Sequence, residues 1–170
     1  MSDVSAGFFK KPPNYKKRSY RMKKSEFPLR VKWIDIKNPE DMEDAFNVRR
    51  EVFIKEQNVP EEEEFDEEDL ISHHIVVYAA GRPVATGRLF KSGNGWLIGR
   101  ISVLKKYRGK QAGKLVVEKL LEKAAELKAG DIHVHAQTHA AGFYEKFGFI
   151  AYGDTFLEAG IEHVSMVKRI

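Results

Sequence analysis

Residues Ile101–Ala129, ISVLKKYRGKQAGKLVVEKLLEKAAELKA, decide how this chain folds. Ile101 and Val103, with Leu104 beyond, read as the end of an apolar strand. The loop Arg108-Gly109-Lys110-Gln111-Ala112-Gly113 follows and opens directly into a helix. Leu115, Val116, Leu120, Leu121, Ala124 and Leu127 fall at helical spacing on one broad face, and lysines and glutamates cover the other. A strand, a glycine loop and a helix in succession make an anion site. The first helical turn has N–H groups without partners, and the helix dipole favours negative charge there. Arg108, Lys110 and Lys114 add cations at the same place. The same residues also suit a solvated basic turn before a surface helix, so the loop alone leaves both readings open.

Two other phosphate loops are excluded by spacing. An NTPase loop needs four residues between its glycine and the Gly-Lys pair, then Ser or Thr. Here three residues separate Gly109 from Gly113, and Leu115 follows Lys114. Gly93, Gly95 and Gly99 do not make the dinucleotide pattern and lead into a strand.

Upstream of this stretch, Val31–Ile36 alternates as a first strand. Asn38 and Pro39 then cap and start a helix expected to run to about Gln57. Glu61–Asp69 holds eight acids in nine residues. It reads as a solvated loop, or as an acidic rim that attracts a cationic substrate. His73–Ala80, Pro83–Lys91 and Trp96–Leu104 make an antiparallel meander, with a tight turn at Ser92–Gly95. Downstream, Gly130 is expected to close the long helix. Asp131–Gln137 alternates strictly, with Ile132, Val134 and Ala136 on one side. A helix separates it from the third meander strand, so the two should pair in parallel. A short helix at His139–Phe147 and a last antiparallel pair, Phe149–Tyr152 with His163–Arg169, complete the chain.

Composition bounds the function. The 170 residues suit one domain with a real core. There are no cysteines, which excludes disulfides, thiolate zinc sites and a cysteine nucleophile. The net charge of +4 is unevenly placed: residues 1–30 hold nine Lys/Arg and two acids, and the remaining 140 hold 20 and 23. A nucleic-acid argument therefore applies only to a basic arm, residues 1–29, ahead of a domain at 30–170. The arm reads as flexible, with Met22 as an alternative start; an expression remnant, a targeting segment and an RNA-binding tail all stay open. No apolar run is long enough for a membrane span and no signal-peptide core stands at the N-terminus, so a cytoplasmic location and no membrane partner are expected. EF-hand spacing is absent. His133 and His135 lack a third ligand, so no metal is expected.

The order of elements resembles the GNAT family of acetyl-CoA-dependent N-acetyltransferases. Arg108-Gly109-Lys110-Gln111-Ala112-Gly113 is similar to the family's Gln/Arg-x-x-Gly-x-Gly/Ala loop, with Gln111 at the middle glycine. Gln137-x-x-Ala140-x-x-Phe143-Tyr144-Glu145-Lys146-x-Gly148-Phe149 is similar to its second motif, with Gln137 in place of Asn. Val52–Gln57, Asp69 with His73-His74, Ala136–Thr138 and Gly160–His163 resemble the ElaA/YjcF-like branch. The resemblance implies an α/β fold of α+β type. A mixed central sheet of six to seven strands would carry flanking helices, with an antiparallel meander and one parallel pair splayed around the cofactor.

It also implies acetyl transfer to a primary amine by direct attack, with acetyl-CoA as cofactor. The expected cofactor contacts are Ile101, Ser102, Val103, Arg108, Gly109, Lys110, Gln111, Ala112, Gly113, Lys114, Gln137 and Phe143. Tyr144 is the expected acid for the departing thiolate, since a tyrosine of ordinary pKa about 10 stays protonated at neutral pH. Glu56 and His74 are candidate bases, with His135 and His163 as further candidates. Gln57, Arg100, His135 and His163 are expected to meet the acceptor; Arg100 equally suits pairing with an acid such as Asp69. The acidic run favours a cationic acceptor, such as a polyamine or a protein lysine, whereas Arg100 and the histidines favour one with its own anion, such as an amino sugar phosphate or an amino acid, and the sequence leaves both open. The competing class is a CoA-binding regulatory module of the same fold whose basic arm contacts nucleic acid. A homodimer is expected from pairing of C-terminal strands in relatives.

Overall fold

The meander forms one half of a seven-stranded sheet. The computed structural model describes residues 28–93 and 95–170, so nearly all of the 1–29 arm, and Asn94 of the hairpin turn, lie outside the described residues. The strands are β1 (Leu29–Trp33), β2 (His73–Ala79), β3 (Arg82–Ser92), β4 (Gly95–Val103), β5 (Asp131–Gln137), β6 (Ile150–Glu158) and β7 (Ile161–Arg169). They lie in the order β1-β2-β3-β4-β5-β7-β6. Every neighbouring pair is antiparallel except β4 with β5. That parallel pair is reached through helix α3 (Ala112–Glu126), as the connection requires.

Strand alternation sends the helices to opposite faces. Ile75, Val77 and Ala79 of β2 join a core with Val116 and Leu120 of α3, while Val76 between them packs with Met42 and Ala45 of helix α1 (Pro39–Arg49). Asn38 caps α1, its Oδ1 accepting from the Glu40 N–H at 3.2 Å. Helix α3 lies close against the sheet. A Cβ on Gly87 of β3 would fall 2.7 Å from Val116 Cγ1. Leu89, Ile98, Ile132 and Met166 complete this core without exposure.

Five expectations change. The first helix does not continue in one form to Gln57: from Arg50 to Glu56 it widens into a π-helix, with the Gln57 N–H reaching the Val52 carbonyl at 3.1 Å. Lys128, not Gly130, takes the left-handed position after α3, at φ +54°. The Ala129 N–H then bonds Ala124 O and the Lys128 N–H bonds Ala125 O, a Schellman closure that needs no glycine conformation at 130. The short helix is reduced to a 3₁₀ turn at Thr138–Ala140 and α4 (Ala141–Glu145). Strand β6 runs through a bulge at residues 153–155, so the last hairpin reaches back to Glu158. Finally, the acidic run is solvated only in part, at Glu61, Glu62, Glu63, Glu67 and Glu68. It folds into helix α2 (Glu61–Glu64) and a 3₁₀ turn at Glu67–Leu70, with Glu64 and Asp69 buried.

Candidate active site

Strands β4 and β5 pair over three positions only, Trp96 with Ile132, Leu97 with His133 and Ile98 with Val134. Beyond them the strands part. The cause lies in β4. Between the pairs Arg88–Gly99 and Thr86–Ser102, β3 advances two residues and β4 three. Arg100 carries the extra residue at φ +53°, and such a bulge bends its strand. The parting opens a cleft of about 1290 Å³ that runs from the N-terminus of α3 to the face of β5 and β7.

At one end, Gly109, Gln111, Gly113 and Lys114 line the cleft. Gly109 and Gln111 both adopt left-handed backbone, at φ +71° and +70°. Gln111 therefore holds the conformation that a glycine would supply. No side chain caps α3, so its first-turn N–H groups remain available to an anion. Gly113 keeps the helix start close to β4: a Cβ there would sit 3.2 Å from Val103 Cγ2. Ala112 is buried and Lys110 lies over the Tyr107 ring; neither lines the cleft. Arg108 is held. Its Nη1 and Nη2 donate to the two oxygens of Glu56, both at 2.6 Å, and its Nε donates to Val103 O. That hydrogen bond, with the charge of Arg108, holds the Glu56 carboxyl below its ordinary range, which makes Glu56 a weak base.

The middle of the cleft is lined by Ile101, Ser102 and Val103 on β4, and by Gln137, Phe143 and Tyr144 opposite. Ser102 Oγ is buried without a protein partner. Gln137 exchanges amide hydrogen bonds with Gln57, at 2.9 and 3.3 Å, tying the end of the π-helix to the end of β5. Burial pushes the Tyr144 hydroxyl above its ordinary range, so it stays protonated.

The far end holds His135, His163, Glu158, Arg88 and Arg100. His135 is the first residue of β5 past the paired segment, at the fork itself. Its Nδ1 bonds Glu158 Oε2 at 3.2 Å, and its ring meets Phe156 edge-on. His163 is buried, stacks on Phe156 and bonds Ile161 O through Nδ1 at 2.8 Å. A carboxylate and a carbonyl can only accept, so both rings carry hydrogen on Nδ1 and present Nε2 as an acceptor. The His135 hydrogen bond keeps Glu158 below the ordinary carboxyl range, and it remains ionised.

Arg100 does not face the cleft as a free cation. It bonds Glu64 O at 3.0 Å, Glu63 O at 3.1 Å and Asp66 Oδ2 at 2.9 Å, and pairs with Glu64 Oε2 at 3.2 Å. Arg49 Nε donates to Glu64 Oε1 at 2.6 Å and its Nη1 to Asp69 Oδ1 at 2.6 Å. Arg88 reaches Asp66 and Asp69. Three guanidinium groups and three carboxylates thus cancel beneath the β4 bulge. Burial alone would raise Asp69, but the hydrogen bonds and charges of Arg49 and Arg88 outweigh it and hold it low. Burial dominates at Glu64 and pushes it up despite Arg49 and Arg100. His74 belongs to this network. It is buried, donates from Nε2 to Asp69 O at 2.9 Å, is kept neutral by burial and does not line the cleft.

The structure therefore brings together Glu56, Gln57, the 101–103 strand, the glycine loop, Gln137, Phe143, Tyr144, His135 and His163, and leaves His74, Lys110 and Ala112 outside the lining. Sequence reasoning missed Glu158 and the inward turn of the acidic run. The signals were Arg49 on an apolar helix face and Arg88 inside an apolar strand, two cations that demand buried partners. Among the described residues no group of His, Asp and Glu is arranged to hold a metal.

A family model described as an acetyltransferase (GNAT) domain matches residues 36–170. The YjcF protein of Bacillus subtilis, described as an uncharacterized N-acetyltransferase, is 46% identical over 140 residues, covering 81% of this chain and 99% of that protein. The crystal structure of Escherichia coli ElaA superposes with a TM-score of 0.75 at 27% identity, over 84% of this chain and 100% of that one. A Bacillus subtilis acetyltransferase in complex with CoA has a TM-score of 0.62 at 20% identity, over 84% and 99% of the two chains, a likeness of fold.

Proposed function

The chain belongs to the GNAT acetyltransferase family, and from that premise we propose that it moves the acetyl group of acetyl-CoA to a primary amine by direct attack in the cleft between β4 and β5. The observation that carries this reading is the fork itself. Strand β4 keeps an unpaired edge past Ile98, with Ser102 Oγ buried and unpartnered in the gap and Tyr144 on its far wall. The residues present fit the donor. An extended chain of amides needs strand-like partners, which Ile101–Val103 supply. A pyrophosphate needs the open N–H groups at Gly113, with Lys114 and Arg108 to balance its charge. CoA in the complex of the structural neighbour supports the same ligand here.

Acetyl-CoA supplies an activated acyl group; this chain supplies position and proton transfer. The amine arrives as an ammonium and must lose a proton before it attacks. His135 and His163 present Nε2 acceptors at the acceptor end of the cleft. Tyr144, held protonated by burial, gives its proton to the departing thiolate. Glu56 serves Arg108 rather than the amine, because the guanidinium occupies both of its oxygens.

Tyr144→Phe tests the assignment without emptying the space under the cleft. With saturating acetyl-CoA and an accepted amine, kcat should fall about 10²-fold or more. Stabilisation of the variant by acetyl-CoA should match wild type. A kcat within about threefold of wild type would remove Tyr144 from the chemistry.

A further inference from the structure

The acceptor end of the cleft has an unbalanced charge, and its source is one residue that sequence reasoning overlooked. Two features had pulled the acceptor in opposite directions, the acidic run toward a cation and Arg100 toward an anion. They cancel one another. Glu64, Asp66 and Asp69 are bound by Arg49, Arg88 and Arg100. Of the two arginines at this end of the cleft, Arg88 has both amino nitrogens on Asp66 and Asp69. Its Nε, the unpartnered one, is buried 3.8 Å from where a Cβ on Gly99 would stand. Arg100 has its Nε and Nη2 on the 63–66 segment, and its Nη1 lies 4.0 Å from Glu158 Oε1.

Glu158 is what remains. Its partners are the His135 ring at 3.2 Å and Arg100 at 4.0 Å, and His163 and Phe156 pack nearby on β7 and β6. Both imidazoles carry their hydrogen on Nδ1. The groups placed to meet the amine are therefore one carboxylate and two Nε2 lone pairs, with Arg100 Nη1, 4.0 Å from Glu158 Oε1, as the donor beside them and Arg88 Nε buried. An ammonium has three N–H donors and no acceptor, and it matches this set. A carboxylate or phosphate beside the amine would face Glu158 and two lone pairs, with every amino nitrogen of Arg88 and two of three Arg100 nitrogens already engaged.

We propose that the acceptor is a primary ammonium with no anionic group beside its amine, seated at Glu158 between His135 and His163. The assignment rests on the reading of the cleft as an acetyltransferase site. Glu158 holds the ammonium and fixes the His135 tautomer, and it is a positioning residue for the proton transfer. Of the three ammonium protons, one passes to an imidazole Nε2 before attack, one replaces on Tyr144 the proton that Tyr144 gives to the departing thiolate, and one stays on the amide nitrogen. The N–C bond forms as the C–S bond breaks.

The absence of cysteine lets a thiol reagent read released CoA without background from the protein. Two matched pairs of acceptors would be compared: pentylamine with norleucine, and ethanolamine with phosphoethanolamine. Each pair differs by one anionic group. The member of each pair without the anionic group should show kcat/KM at least roughly tenfold higher, as one close like-charge contact in a partly solvated site requires. Glu158→Gln should lower kcat/KM for pentylamine, shrink that preference, and leave stabilisation by acetyl-CoA unchanged. Equal or better turnover of the anionic members, a preference that survives Glu158→Gln, or bound acetyl-CoA with no turnover of any of the four amines would overturn the proposal. Failure of acetyl-CoA to stabilise the wild type would instead remove the acetyltransferase reading beneath it.

Discussion

Replacing Asp69 by Asn tests the buried network that shapes the floor of the cleft. Asp69 Oδ1 accepts from Arg49 Nη1 and Arg88 Nη1, both at 2.6 Å, and Oδ2 accepts from Arg49 Nη2 at 3.1 Å. Asparagine can keep the Oδ1 contacts as weaker neutral bonds. Its amide nitrogen then faces Arg49 Nη2 donor to donor, and three guanidinium groups are left with two carboxylates. Breaking one member of a buried ionic group costs about 3–5 kcal/mol. In a chain of this size that lowers Tm by roughly 6–20 °C.

Denaturant unfolding at neutral pH reads the loss directly. Acid titration reads its cause. The folded-state pKa values of Asp66 and Asp69 lie below their ordinary value, so their contribution is present above that value, about 3.9, and is lost as pH falls through the lower folded values. Glu64 runs the opposite way, because its pKa is raised, and it offsets part of that loss. Wild type should therefore lose stability steeply below about pH 4, and Asp69→Asn should lose less over the same range. A variant within about 1 kcal/mol of wild type, with an unchanged acid limb, would refute the reasoning.

Glu56→Gln should tighten acetyl-CoA binding up to about fivefold by releasing Arg108 from an exposed ion pair worth 1 kcal/mol or less. Calorimetric titration that shows weaker binding, or a collapse of kcat with an amine, would return Glu56 to the list of bases. Lys128→Gly should raise stability by about 0.5–1 kcal/mol, since a lysine now holds the left-handed turn after α3 at φ +54°. Thermal unfolding that shows a loss would mean that glycine's greater freedom in the unfolded chain outweighs the relieved strain.

The path from strand to glycine loop to α3, and the parallel return into β5, were legible because they rest on local periodicity. The fork was legible only through the family motif. Its physical cause, the extra residue at Arg100, leaves no mark in the spacing of Ile98, Ile101 and Val103. The inward acids were illegible for another reason. Eight acids together read as solvated, and only the positions of Arg49 and Arg88, 15 to 22 residues away in sequence, require some of them inside. Glu158 was hidden by the β6 bulge, which extends the last hairpin past the point where the apolar pattern stops and brings position 158 back against His135. Lys128 shows the limit of glycine as a signal. A helix end takes the left-handed residue where its last carbonyls need closing, and here that was two positions before the nearest glycine.

The central claim is that the gap between β4 and β5 receives acetyl-CoA with its pyrophosphate at the start of α3. Thermal unfolding of wild type and Arg108→Ala with and without acetyl-CoA tests it most directly. At about 100 times the dissociation constant the ligand should stabilise the wild type by roughly 2.7 kcal/mol, and at the same concentration Arg108→Ala should gain clearly less. No stabilisation of the wild type, or the same gain in both proteins, would contradict the account.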